Sequence, residues 1–160
     1  MSKIIFILSI LILTSIQLTL VNVFRVFGIA PNLLLISIVI AGISFELHWA
    51  VGLGIMAGFI SDIFFVNSFG MNVILYPFWV YLIAILSRKI FIDSNFICIG
   101  LMLGIALLHN TAVFILVALF KHSLPAPGIC LRIVLLEPLY TAAIFPLVFK
   151  VVRPRFYPAT

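Results

Sequence analysis

Long apolar runs separated by short polar or basic breaks set the pattern of this chain. Six runs stand out: Ile4–Val23, Pro31–Glu46, Trp49–Val66, Gly70–Ser87, Asn95–Phe120 and Cys130–Lys150. A membrane-spanning helix needs about 20 mainly apolar residues, fewer or more with tilt and local thickness. The runs are continuous and lack the period-two alternation of outer-membrane strands. The pattern therefore predicts an all-α integral membrane protein, a bundle of six transmembrane helices. The second and third runs are short, and only Glu46-Leu47-His48 parts them. A re-entrant hairpin buried in protein is the other arrangement such lengths allow.

Composition strengthens this reading. Hydrophobic residues make up 66% of the 160 and charged residues 8%, with a mean hydropathy of +1.43. Soluble domains average ~45–50% apolar and ~25% charged, so too few charges are present to coat a water-facing globule. Soluble enzymes, nucleic-acid readers and secreted disulfide scaffolds are excluded together. The loops between the runs leave no room for a soluble domain, and residues 1–160 are expected to form a single polytopic transmembrane domain. The first run is longer than the ~7–15-residue apolar region of a signal peptide and is expected to be a retained span. Cys98 and Cys130 fall at or inside runs and read as small apolar side chains rather than a disulfide.

The basic residues orient the bundle. With the N-terminus inside, the inner side collects Lys3, Arg88, Lys89, Lys150, Arg153 and Arg155, and the outer side Arg25, Lys121 and Arg132. The excess of Lys and Arg inside predicts that both termini are cytoplasmic. The Lys150–Arg155 tail suits anionic headgroups, so the net charge of +5 reflects membrane topology and lipids, and no nucleic-acid partner is expected.

Polar residues within the runs carry the remaining information, because each is costly in the bilayer. Gly54, Gly58 and Asp62 recur every four residues and share one helix face, drifting by about 40° per step. The small pair lets a neighbouring backbone approach. Asp62 then projects near the outer end and needs a partner: a cation, a helix N-terminus or water. Pro31 and Asn32 open the second run, with Pro31 at a natural first helical position. Gly70, Met71 and Asn72 open the fourth, whose free N–H groups favour an anion. Glu137, followed by Pro138, lies toward the outside of the last run, and Arg25 is in the outer loop before the second run. Arg25, Asn32, Asp62, Asn72 and Glu137 thus gather in the outer half. They read either as helix caps and packing hydrogen bonds or as a shared polar pocket or partner-docking site.

In the fifth run, His109, Asn110 and Thr111 follow Gly100 and Gly104, a combination that suggests a close, hydrogen-bonded helix contact rather than a metal site. Tyr76, Trp79 and Tyr81 of the fourth run are expected to face lipid, with Pro77 bending the helix. Trp49 reads as an interfacial anchor. No nucleophile–base set, phosphate loop or metal motif is present in the sequence. No cofactor or metal is expected, and an enzyme is not, although Asp62 and Glu137 are a conceivable acid–base pair.

Three segments in order resemble one known family: Pro31-Asn32-Leu33-Leu34-Leu35-Ile36, Gly54-x-x-x-Gly58-Phe59-Ile60-Ser61-Asp62-Ile63-Phe64, and Ser68-Phe69-Gly70-Met71-Asn72. They are similar to the rod shape-determining protein MreD family, as are the basic Arg88-Lys89 stop and the closing Glu137-Pro138-Leu139-Tyr140 segment. The family usually carries Asp where this chain has Asn32, a swap that preserves capping. The resemblance implies a non-enzymatic inner-membrane subunit of the bacterial elongation machinery, needed for cell shape and lateral peptidoglycan synthesis. Its implied partner is the scaffold MreC, and through it the MreB filament and the elongation peptidoglycan synthases. The implied fold is similar to the substrate-binding subunit of energy-coupling-factor transporters, so a carrier of a small molecule or lipid is the alternative function.

Overall fold

The computed structural model describes residue 12 and residues 29–64, 70–89, 95–121 and 127–156. Apart from Ile12, the first predicted span lies outside these residues, as do Arg25 and the segment 65–69. The described chain is helical: α1 (Leu33–Ser44), α2 (Leu47–Phe64), α3 (Met71–Lys89), α4 (Asn95–Lys121), α5 (Pro127–Leu131), a π-helical turn (Arg132–Leu136) and α6 (Glu137–Phe156).

Each apolar run from the second onward becomes a helix, because a chain in hydrocarbon must pair its backbone internally. α4, at 27 residues, is long and apolar enough to cross a membrane, and so is the stretch Arg132–Lys150. The helices Leu33–Ser44, Leu47–Ile63 and Met71–Ser87 are apolar but shorter.

α1 departs from a simple span. Its 12 residues extend about 18 Å at the usual helical rise, short of a hydrocarbon core of about 30 Å. Nine consecutive residues, Leu34 to Gly42, are buried, and α2, α3, α4 and α6 all contact the helix. A helix apolar on every side belongs in an interior, and α1 is the central post of the described bundle. Its one buried hydroxyl is satisfied locally, with Ser37 Oγ donating to the Leu33 carbonyl at 2.9 Å.

Missing side chains seat α3 against its neighbours. A Cβ on Gly58 would lie 2.7 Å from Val73 Cα, and one on Gly54 would lie 3.0 Å from Pro77 Cα. A Cβ on Gly42 would lie 2.9 Å from Ile83 Cγ2. α2 and α1 therefore meet α3 at near-backbone contact. By contrast, among the described residues no atom lies within 4 Å of a Cβ built on Gly100 or Gly104. The close contact expected at those two glycines is made by none of the described residues.

The core draws on five helices, with Tyr76, Val80 and Ile83 of α3 meeting Met102 and Ala106 of α4 and the stacked pair Phe145–Phe149 of α6 (5.4 Å, 19°). Tyr76 and Trp79 are buried, contrary to the lipid-facing expectation, while Tyr81 is exposed. Tyr76 shares the inward face of α3 with Val80 and Ile83, at helical spacing. α3 continues through Pro77. Trp49 is exposed at the start of α2, its ring 5.7 Å from that of His48.

Candidate functional site: a buried polar cluster

One end of the bundle gathers the start of α1, the end of α2 and the starts of α3 and α6, with the middle of α4 alongside. Asn32 is the N-cap of α1: its Oδ1 accepts from Leu35 N at 2.9 Å. Pro31 therefore sits just outside the helix rather than at its first turn, because the Asn side chain takes the capping position. The Asn32 N–H donates to Thr141 Oγ1 at 3.1 Å, and the Thr141 hydroxyl donates to the Glu137 carbonyl at 2.8 Å. α1 is thereby hydrogen-bonded to the first turn of α6.

Asp62 finds its partner in the next helix. Residue 70, just before α3, is glycine at φ +76°, so it turns the chain and has no side chain with which to cap. The Asp62 carboxylate does so instead: Oδ1 accepts from Asn72 Nδ2 (2.9 Å) and Asn72 N (3.3 Å), and Oδ2 from Val73 N (2.9 Å). Gly58 makes this reach possible, since its missing Cβ brings α2 against the Asn72–Val73 backbone one turn earlier. Hydrogen bonds from a helix N-terminus to a carboxylate are charge-assisted and aligned with the helix dipole. Among the described residues, the partner of the Asp62 carboxylate is the helix N-terminus, one of the three that the sequence allowed.

Asn72 Nδ2 also donates to Ser61 Oγ at 3.1 Å. Tyr76, one turn along α3, reaches the Ser61 hydroxyl and the Asn32 side chain. Its ring lies 5.2 Å from that of His109 on α4.

On the α6 side, Pro138 explains the π turn and the role of Asn110. The Glu137 N–H bonds to the Arg132 carbonyl, five residues back, which leaves Ile133 O without its ordinary donor. The next candidate donor is residue 138, a proline with no N–H. Asn110 Nδ2 fills the gap from α4, donating to Ile133 O at 2.8 Å. The same Asn110 side chain meets the Glu137 carboxyl. The expected interhelical hydrogen bond of the His109–Asn110 pair is thus made by Asn110.

Asn32, Asp62, Asn72 and Glu137 accordingly share one polar cluster, Gly54 and Gly58 set the α2–α3 spacing beneath it, and Gly70 forms the turn. Arg25 lies outside the described residues. Ser61, Tyr76, His109, Asn110 and Thr141 complete the cluster without having been assigned to it from the sequence. The available signal was spacing: Tyr76 is four residues from Asn72, and Thr141 four from Glu137, each pair one turn apart on a helix face.

An all-helical protein with two helices long and apolar enough to cross a membrane, its helix ends tied by a buried polar cluster, is the class that this architecture defines. The family model described as rod shape-determining protein MreD matches residues 1–155, and the chain belongs to that family of rod shape-determining membrane proteins. No curated protein and no solved structure matches the chain.

Proposed function

We propose that the protein is a non-enzymatic adaptor of the bacterial elongation complex, docking MreC at the polar end of the bundle and through it serving MreB and the peptidoglycan synthases. The observation that carries this reading is the family match over residues 1–155. In support, the α2–α3 joint is pinned by Asp62 and flanked by the exposed apolar side chains Ile63 and Ile74, a firm surface that a partner helix can use.

The proposal includes one polytopic domain of six spans in the inner membrane, with both termini cytoplasmic and a fold like that of energy-coupling-factor binding subunits. The short α1 is accommodated in this scheme by burial within the bundle rather than exposure to lipid. The test is co-purification of the tagged chain with MreC from membranes. Ile63→Ser and Ile74→Ser together are expected to reduce recovery of MreC while leaving insertion intact. Undiminished recovery would remove the docking surface from this end.

The second reading, a small-molecule or lipid carrier, is favoured by the presence of buried polar atoms without partners, Asn72 Oδ1 and His109 Nδ1. It predicts a stoichiometric organic ligand in native mass spectrometry of mildly purified protein. The depth at which Tyr76, Asn72 and His109 are buried favours the adaptor over an organic ligand.

A further inference from the structure

The outward side of α6 and of the π turn before it carries two charges that no described residue neutralises. Arg132 is exposed and Glu137 partly exposed, and both belong to the 19-residue stretch Arg132–Lys150, which is long and apolar enough to cross a membrane. The ion pair present among the described residues is His48–Glu46, at the start of α2. Arg132 and Glu137 are therefore paired neither with each other nor with a described neighbour. A charge left without its opposite is costly in hydrocarbon.

The π turn brings both charges to one side of the helix. The Glu137 N–H bonds to the Arg132 carbonyl, which stacks residue 132 one turn above residue 137. In an unbroken α-helix, residues five apart stand about 140° apart around the axis. The same side continues as an apolar seam. Leu136, Tyr140, Ala143 and Leu147 follow at intervals of four, three and four residues, the spacing of helices that pair in parallel. Leu136, Ala143 and Leu147 are exposed and Tyr140 partly so, whereas Thr141, Ala142, Phe145 and Phe149 turn into the core.

We infer that this side of α6 is a self-association surface, on which the α6 of a second copy lies parallel and each Arg132 pairs with Glu137 of the partner subunit. Charge complementarity selects this occupant. Lipid chains cover the leucines but neutralise neither charge. A second copy supplies both opposites at once, because a face that bears both signs is its own complement under a two-fold axis. Copies inserted in the same orientation are related by an axis along the membrane normal, so their α6 helices run parallel. Arg132 then stands one turn above Glu137 of the partner subunit, an offset of about one helical pitch that its long side chain spans diagonally. Self-association through α6 is independent of the adaptor reading, since Ile63 and Ile74 lie on α2 and α3.

The test is resonance energy transfer between donor- and acceptor-tagged copies of the purified full chain in liposomes, read as the protein is diluted with lipid. The wild type is expected to associate reversibly. Arg132→Glu and Glu137→Arg each set like charges against one another and should weaken association by at least about tenfold. Mixing the two variants one to one should restore it, since each altered charge then meets its opposite in the other chain. Ala143→Trp adds bulk at an exposed position of the seam. It should also weaken association, and it serves as the second variant if Glu137→Arg does not insert. A wild type that stays monomeric at the highest protein-to-lipid ratio would overturn the proposal, as would wild-type association of Arg132→Glu or Ala143→Trp. Recovery in the double variant Arg132→Glu/Glu137→Arg without recovery in the mixture would identify an ion pair within one chain, and would overturn it too.

Discussion

The Asp62 carboxylate at the end of α2 accepts the backbone N–H of Val73 at 2.9 Å and so caps a helix it does not belong to. Gly70, at the natural capping position, has no side chain, and its φ of +76° turns the chain so that α2 and α3 lie side by side. The cap therefore couples the two helices, alongside the bond from Asn72 Nδ2 to Ser61 Oγ.

Replacing Asp62 by Leu should strand the Asn72 and Val73 N–H groups and destabilise the protein by about 3 kcal/mol, since hydrogen bonds to a charged group contribute ~1.5–3 kcal/mol each and lost partners add a desolvation cost. Asp62→Asn should cost less, because one oxygen can still accept. Equilibrium unfolding in mixed micelles measures both, and a wild-type stability for Asp62→Leu would contradict the capping role.

Two glycine pairs with the same spacing should respond in opposite ways. Gly58→Ala places a Cβ against the Asn72–Val73 backbone, which cannot swing aside as a flexible side chain would. It should destabilise by about 1–3 kcal/mol, the usual cost of overpacking. Gly104→Ala meets open space among the described residues and should gain up to about 1 kcal/mol of helix propensity. Parallel melts of the two variants give the comparison, and a shift of the same sign in both would refute it.

Asn110→Leu should leave Ile133 O without a donor, at about 1–3 kcal/mol, and should speed hydrogen exchange around Arg132–Leu136. Pro138→Ala restores an N–H within the helix and should recover part of the loss when combined with Asn110→Leu. A double-mutant cycle reports this as a coupling. Strictly additive effects would show that Asn110 does not compensate for the proline.

Tyr76→Phe retains the ring against His109 but removes the hydroxyl that reaches Ser61 and Asn32. The expected cost is about 1 kcal/mol. Tyr76→Ala also empties a fully buried position and should cost about 3–5 kcal/mol, as large-to-small core changes of aromatics do. Similar losses for the two would mean that the hydroxyl contacts, not the ring, dominate at this position.

Much of the fold was legible because apolar runs in a membrane protein have one economical solution, the helix. The run Asn95–Phe120 became α4, Asn95–Lys121, and Trp49–Val66 became α2, Leu47–Phe64. Gly54, Gly58 and Asp62 were legible as one face for the same reason, since helical periodicity depends only on local spacing. The glycines of α4 show where local reading stops. Gly100 and Gly104 have the spacing of Gly54 and Gly58, yet no described atom packs against them, because what a small-residue face meets depends on the tertiary arrangement.

The sequence by itself determined that this is a helical membrane protein, where most of its helices begin and end, and that its costly polar residues lie toward one end. Only the tertiary structure decided how those residues are spent: Asp62 on the start of α3, Asn110 on the carbonyl left open by Pro138, Tyr76 in the core, and α1 at the centre of the described bundle. Helix formation is settled within a few turns of chain. The links that organise the cluster join residues as far apart as Asn32 and Thr141, 109 positions along the sequence, and depend on which helices pack together.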